Sequence, residues 1–124
     1  RDDCLLLPHL GASTAEAEEN CSVMAANQLM DFLENGNIMN SVNFPQTRMA
    51  RDGGFRITFA NENVPRVLGS VLSILADHDI NVIDMVNKSL HEMAYNIIDV
   101  ETELAAEVIE ALASVEGVKR LRVL

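Results

Sequence analysis

Tryptophan is absent from this 124-residue chain, and one tyrosine and four phenylalanines are its only aromatic residues. Because 48% of the residues are nonetheless hydrophobic, the core must be aliphatic, which suits an α/β-type domain and excludes a disordered chain. There are only two cysteines, Cys4 and Cys21, too few for a disulfide framework and without the CxxC spacing of a metal site. They read as reduced core thiols of a cytoplasmic protein, Cys4 in a buried strand and Cys21 on a helix face. No apolar run approaches membrane-spanning length, and the opening "RDD" is not the basic-then-apolar start of a signal peptide, so no membrane partner is expected. Basic residues are scarce as well. Nine Lys and Arg stand against nineteen Asp and Glu, a net charge of −10. That excess of acid leaves no basic face for a polyanion, and nucleic acid is excluded as a partner.

What is present falls into two patterns. Residues 4–7, "CLLL", lack alternation, as expected of a short parallel strand covered on both faces. The loop "PHLGAST" follows, in which Ser13 and Glu16 form an S-x-x-E capping box. Ala17, Cys21, Met24, Ala25, Leu29 and Phe32 then recur at helical spacing, which predicts a helix over 14–34 stopped by the glycine of "ENGN". "MNSVNFP" reads as a short edge strand ending in Pro45, and "QTRMARDGG" as a polar linker. The linker, residues 46–54, separates a first unit, 1–45, from a second, 55–124.

The second unit changes character. "FRITFA" alternates as a strand. "NVPRVLGSVLSILADHD" is a helix with Pro65 in its first turn and Val67, Leu68, Val71, Leu72 and Leu75 facing inward. "INVIDMVNKS" and "MAYNIIDVE" form a hairpin about the polar "LHE". A second helix starts at Thr102 and is stopped by Gly117, and "VKRLRVL" closes the unit as a strand. The order βαββαβ predicts an α+β, ferredoxin-like fold. One strand and one helix cannot close a core of their own, so residues 1–45 read as the end of a larger, Rossmann-type domain and the chain as part of a longer one. The apolar stripe of the long helix is expected to be covered, most simply by a second copy.

His9 lies where a parallel strand would end, which is where open α/β sheets bind ligands, and Gly11 two residues on lets a backbone approach closely. A structural role and a proton-transfer role are both open to it. His78 and His91 have no partners at metal-ligand spacing and read as surface residues, and no metal site is expected.

"PHLGAST", followed by "AEAEENCSVMAANQLMDFLENG" and "VNFP", resembles the carboxyl-terminal end of the nucleotide-binding domain of the NAD-dependent D-2-hydroxyacid dehydrogenases. The βαββαβ unit resembles the ACT regulatory domain carried by the branch of that family that opens serine biosynthesis. The resemblance implies NAD as cofactor and His9 as the catalytic acid and base, with His9, Leu10, Gly11 and Ala12 against the nicotinamide end. Leu7 stands where many relatives have threonine. The partner carboxylate, the substrate-binding arginine and the glycine-rich loop are not among these residues, so this portion alone is expected to be inactive. The same resemblance implies a homo-oligomer of ACT domains side by side, with an effector between the first loop of one copy and the helix–strand turn of the other. Asn61, Asn63 and Asn81 match the positions that would bind L-serine, while Arg66 occupies a position usually held by glycine. Two alternatives stay open: a free-standing ACT-type amino-acid-binding module in which His9 is structural, and a dehydrogenase of this family with another substrate.

Overall fold

The computed structural model describes residues 3–124. Its elements are α1 (Ala15–Asn35), β1 (Phe55–Glu62), α2 (Pro65–Asp77), β2 (Val82–Leu90), β3 (Met93–Val100), α3 (Ala106–Ala113) and β4 (Val118–Val123). The four strands form one antiparallel sheet in the order β2-β3-β1-β4. The βαββαβ expectation for residues 55–124 is met.

Alternation along β1 sorts its side chains onto two faces, and both are buried. Ile57 and Phe59, with Ile98 and Val100 of β3, meet Val67, Val71 and Leu75 of α2 and Val108 and Leu112 of α3 in the larger core. Arg56, Thr58 and Ala60 point the other way, and around Ala60 a second core gathers Ile38, Met49, Tyr95 and Ile97. Pro65 occupies the first turn of α2, where its missing N–H costs nothing. The β2–β3 hairpin closes over His91 and Glu92, with Leu90 paired to Met93 and His91 at φ 55°. The β1–β4 pairing shifts register between Thr58 and Ala60, opposite Arg120 at φ 55°, the geometry of a bulge.

Several local expectations are corrected. Residues 4–7 form no strand: a parallel strand needs neighbours to bond, none is present among the described residues, and Leu5, Leu6 and Leu7 are exposed at 82%, 87% and 77%. Cys4 and Cys21 are exposed, not core thiols. The α1 cap is Thr14 rather than Ser13, its Oγ1 accepting the Ala17 N–H at 3.0 Å. Ser13 is instead the end of a turn, donating its N–H to the Leu10 carbonyl. No strand forms over 39–45, where one antiparallel bridge, Ile38 to Thr47, closes a loop that buries Pro45. Residues of the polar stretch that follows also turn inward, Thr47 and Met49 packing on the sheet. Finally, α3 starts at Ala106, not Thr102, because Leu104 is drawn into the larger core and holds the preceding chain out of helix.

Among the described residues no helix is long and apolar enough to cross a membrane.

Candidate functional site

The first candidate region is the loop before α1. Leu10 to Ser13 form a tight turn, Thr14 caps the helix, and His9, Leu10, Gly11 and Ala12 are all exposed at its mouth. A Cβ built on Gly11 would meet nothing within 4 Å. Its backbone has no positive φ either, so nothing within the chain requires glycine there. His9 makes no hydrogen bond or ion pair to the described residues, leaving both ring nitrogens open.

The second region lies at the far end of β1. Asn61 is buried, and its Nδ2 donates to the Glu62 carbonyl at 2.6 Å. Asn63 is exposed in the following loop, where its Nδ2 donates to the His91 carbonyl at 3.2 Å and its N–H to that of Glu92 at 2.9 Å. These bonds strap the loop to the β2–β3 turn, just ahead of α2. Asn81 lies elsewhere: it precedes Val82, which pairs with Val100, itself paired with Phe55 at the start of β1. Six residues of strand, about 20 Å, separate that end of the sheet from Asn61. Within one chain the structure brings Asn61 and Asn63 together but not Asn81. Arg66 is exposed at the start of α2, near Glu62 and Glu116 in a shallow cleft.

Between these regions lies a joint that sequence reading missed. Arg56 is completely buried, and its guanidinium uses all five donors. Nε and Nη2 clasp Asp99 at 2.7 and 2.8 Å in a bidentate pair, Nη1 reaches the carbonyls of Asn35 and Met49, and Nη2 that of Ala50. Arg122 donates to the Phe32 and Leu33 carbonyls and stacks on the Phe32 ring at 4.7 Å, and Arg51 donates to Glu34 and to Leu124. A helix leaves its last four carbonyls unpaired and its carboxyl end partly negative. Here three guanidinium groups from the sheet side meet that end of α1. Gly36 completes the seam, with φ 74°, and a Cβ on it would fall 2.3 Å from Thr58 Cγ2. Its carbonyl accepts the Tyr95 hydroxyl at 2.6 Å, and burial pushes the Tyr95 phenol above its ordinary pKa. One signal could have revealed the joint: in "FRITFA" the charge sits at an alternate position of the strand, on the face opposite Ile57 and Phe59.

Among the described residues no group of three or more His, Cys, Asp or Glu could hold a metal ion.

No protein-family model matches the chain. Among solved structures, the ACT domain from GTP pyrophosphokinase of Chlorobium tepidum superposes on 57% of this chain and 97% of its own length, with a TM-score of 0.50 at 13% identity. Residues 55–124 therefore have the ferredoxin-like ACT-domain fold. In sequence the chain is 34% identical to D-3-phosphoglycerate dehydrogenase of Escherichia coli (strain K12) across 99% of its own length, and 32% identical to that of Haemophilus influenzae across the same share. D-3-phosphoglycerate dehydrogenase 2 of Saccharomyces cerevisiae is 32% identical over 84% of the chain. The chain is thus similar, along essentially its whole length, to the carboxyl-terminal part of D-3-phosphoglycerate dehydrogenases. It spans 30% of the length of the two bacterial relatives.

Proposed function

We propose that this chain is the carboxyl-terminal portion of an NAD-dependent D-3-phosphoglycerate dehydrogenase, oxidising 3-phosphoglycerate to 3-phosphohydroxypyruvate at the start of serine biosynthesis. Residues 1–45 are the end of its nucleotide-binding domain, 46–54 the connection, and 55–124 an ACT domain that pairs with a second copy and binds L-serine. The observation that carries this reading is the sequence match across both halves, the loop with His9 and the ACT fold alike, in one continuous alignment.

The residues present fit the cofactor. The loop is exposed, and the open face of Gly11 gives a flat ligand room to lie against the backbone. When bound, NAD accepts the hydride from the substrate's C2. His9 takes the hydroxyl proton as that hydride leaves, and returns it in the reverse direction, work an imidazole can do because its ring nitrogens both accept and donate a proton. The groups that orient His9 and hold the substrate belong to the rest of the enzyme, so these residues alone are inactive.

The regulatory half follows from topology. β2 is an edge strand with Ile83 and Met85 exposed at 48% and 37%, an unpaired row of backbone groups that a second copy can extend. Antiparallel pairing of β2 with itself about a twofold axis sets the Val82 end of one copy against the Leu90 end of the other. Asn81 of the second copy then arrives near the Asn63 loop of the first, so the two halves of the site, 20 Å or so apart in one chain, meet between two. Amide side chains supply both donors and acceptors for a zwitterion with a hydroxyl.

The test is calorimetric titration of the chain with L-serine, with its mass followed by sedimentation. Saturable binding to a dimer, weakened by Asn63→Ala and by Asn81→Ala, is expected. A monomer, or no heat with any amino acid, would overturn the regulatory half of the reading.

A further inference from the structure

Asn61 is one end of a chain of amides. Asn87 of β2 donates through Nδ2 to Asn96 Oδ1, Asn96 Nδ2 donates to Asn61 Oδ1 at 2.6 Å, and Asn61 Nδ2 donates to the Glu62 carbonyl. The relay crosses three strands, with Asn87 directly opposite Asn96 and Asn61 on the diagonal, all on the face that carries α2 and α3. Asn96 is 0% exposed and Asn61 2%, so the buried part is a polar strip, each of its amide atoms bonded, at the end of an otherwise apolar core. Such a strip costs stability unless every member is satisfied, and each buried member here is.

The exposed end is different. Asn87 is exposed on the edge strand, and after its bond to Asn96 one N–H and the Oδ1 lone pairs have no partner among the described residues. Its level along the sheet is one pleat repeat, about 7 Å, from that of Asn61. On the same face of β2, the neighbouring Met85 is apolar. Asn87 is thus an oriented amide, held from behind by two buried ones, between the Asn63 loop and the edge at which a second copy would deliver Asn81.

We propose that Asn87 determines the side-chain specificity of the amino-acid site, selecting ligands whose short side chain carries a hydroxyl or amide and rejecting aliphatic ones; this rests on the two-copy amino-acid site described above. A site built to bond a polar side chain rejects an isostere lacking it, because its own polar atoms would be left unpaired. Asn96 and Asn61 are positioning residues for that amide.

The experiment is a panel of calorimetric titrations of the 124-residue chain with L-serine, L-asparagine and L-valine, repeated on Asn87→Leu and Asn96→Leu, with thermal melting of each variant. The native chain should favour L-serine or L-asparagine over L-valine. Asn87→Leu takes the donor from the buried Asn96 Oδ1, so it should melt some degrees lower but still cooperatively, lose about tenfold in affinity for the polar ligands and gain for L-valine. Asn96→Leu should shift the preference in the same direction, and in an Asn87→Leu background it should move it no further. If the native chain discriminates and Asn87→Leu keeps the same preference, Asn87 is not the determinant, and the amino-acid site stands without it. If the native chain binds none of the three, the site itself fails and this inference with it.

Discussion

The helices α1 and α2 both carry an apolar stripe, the weaker one on α1, yet they end in opposite states. α2 buries Val67, Val71 and Leu75 in thirteen residues, whereas α1, at twenty-one residues, buries none. Val23, Met24, Leu29, Met30 and Leu33 lie on its surface between 49% and 57% exposed. Amphipathicity fixes only that a helix has a face to cover, and what covers it depends on what the rest of the chain can offer. Residues 55–124 offer a sheet with two helices on one face, a closed arrangement. Before α1 the described residues form no strand, and there is none among them to pair with. Residues 55–124 fold on themselves, and the segment that carries His9 is joined to them by the seam of arginines at the end of α1 and the small core around Ala60.

If that division is right, the largest effect belongs to the open half. In the full-length enzyme, His9→Asn should reduce turnover by about 10²–10⁴-fold, the usual contribution of a positioned acid–base group, while NAD affinity changes little. Steady-state rates with cofactor titration check this, and near-native turnover would remove His9 from the chemistry. The same substitution in the 124-residue chain should leave melting unchanged, because His9 is exposed.

The next effect falls on the seam. Arg56 and Asp99 are a buried pair with side chains 0% and 4% exposed, and removing one partner strands the other's charge in the interior. Asp99→Asn should therefore cost about 3–5 kcal/mol in denaturant unfolding, whereas an Arg56→Met, Asp99→Leu double change should cost less per group removed, its loss coming from the Asn35, Met49 and Ala50 carbonyls left without their donor rather than from a stranded charge. Truncating residues 1–13, by contrast, should leave the midpoint nearly unchanged, since Thr14 keeps the cap of α1 and none of the described residues removed is buried. Equal losses from the seam and from the truncation would contradict the division. At Gly36 a side chain meets both a φ of 74° and the Thr58 methyl at 2.3 Å, so Gly36→Ala should cost about 2–4 kcal/mol from conformation and overlap together.

The fold of residues 55–124 was legible because its signals agree: alternation at period two, an inward stripe on α2, a proline in its first turn and a glycine after α3. The first unit misled for a physical reason. "CLLL" has the composition of a buried strand, but a strand is a pairing and composition carries no partner. Likewise Ser13 and Thr14 are both competent caps, and the Leu10–Ser13 turn decided between them. Of the candidate site, the His9 loop and the Asn63 loop could be read from motif and position. The amide relay could not, because Asn87 and Asn96 are brought opposite each other only by hairpin register. Arg56 escaped because a charge within an apolar strand reads as a solvent-facing residue until a second layer is seen to cover that face.

The smallest effect tests whether that second layer is a true core. Tyr95 is buried and bonded to the Gly36 carbonyl, and desolvation raises its pKa above the ordinary phenol value, outweighing the Thr58 hydrogen bond and the charges of Arg122 and Arg56. Since the folded state holds this proton more tightly than the unfolded chain, the folded form binds more protons above about pH 10. Its contribution to stability is therefore intact below that pH and is lost as pH rises through the folded value. Tyr95→Phe removes the titrating group and leaves the Gly36 carbonyl without its donor, so it should cost about 1–2 kcal/mol at neutral pH. Its unfolding free energy should then fall less steeply than the native chain's between pH 10 and 11. Parallel slopes would place the phenol in water, and the layer joining α1 to the sheet would then be a loose cover rather than a core.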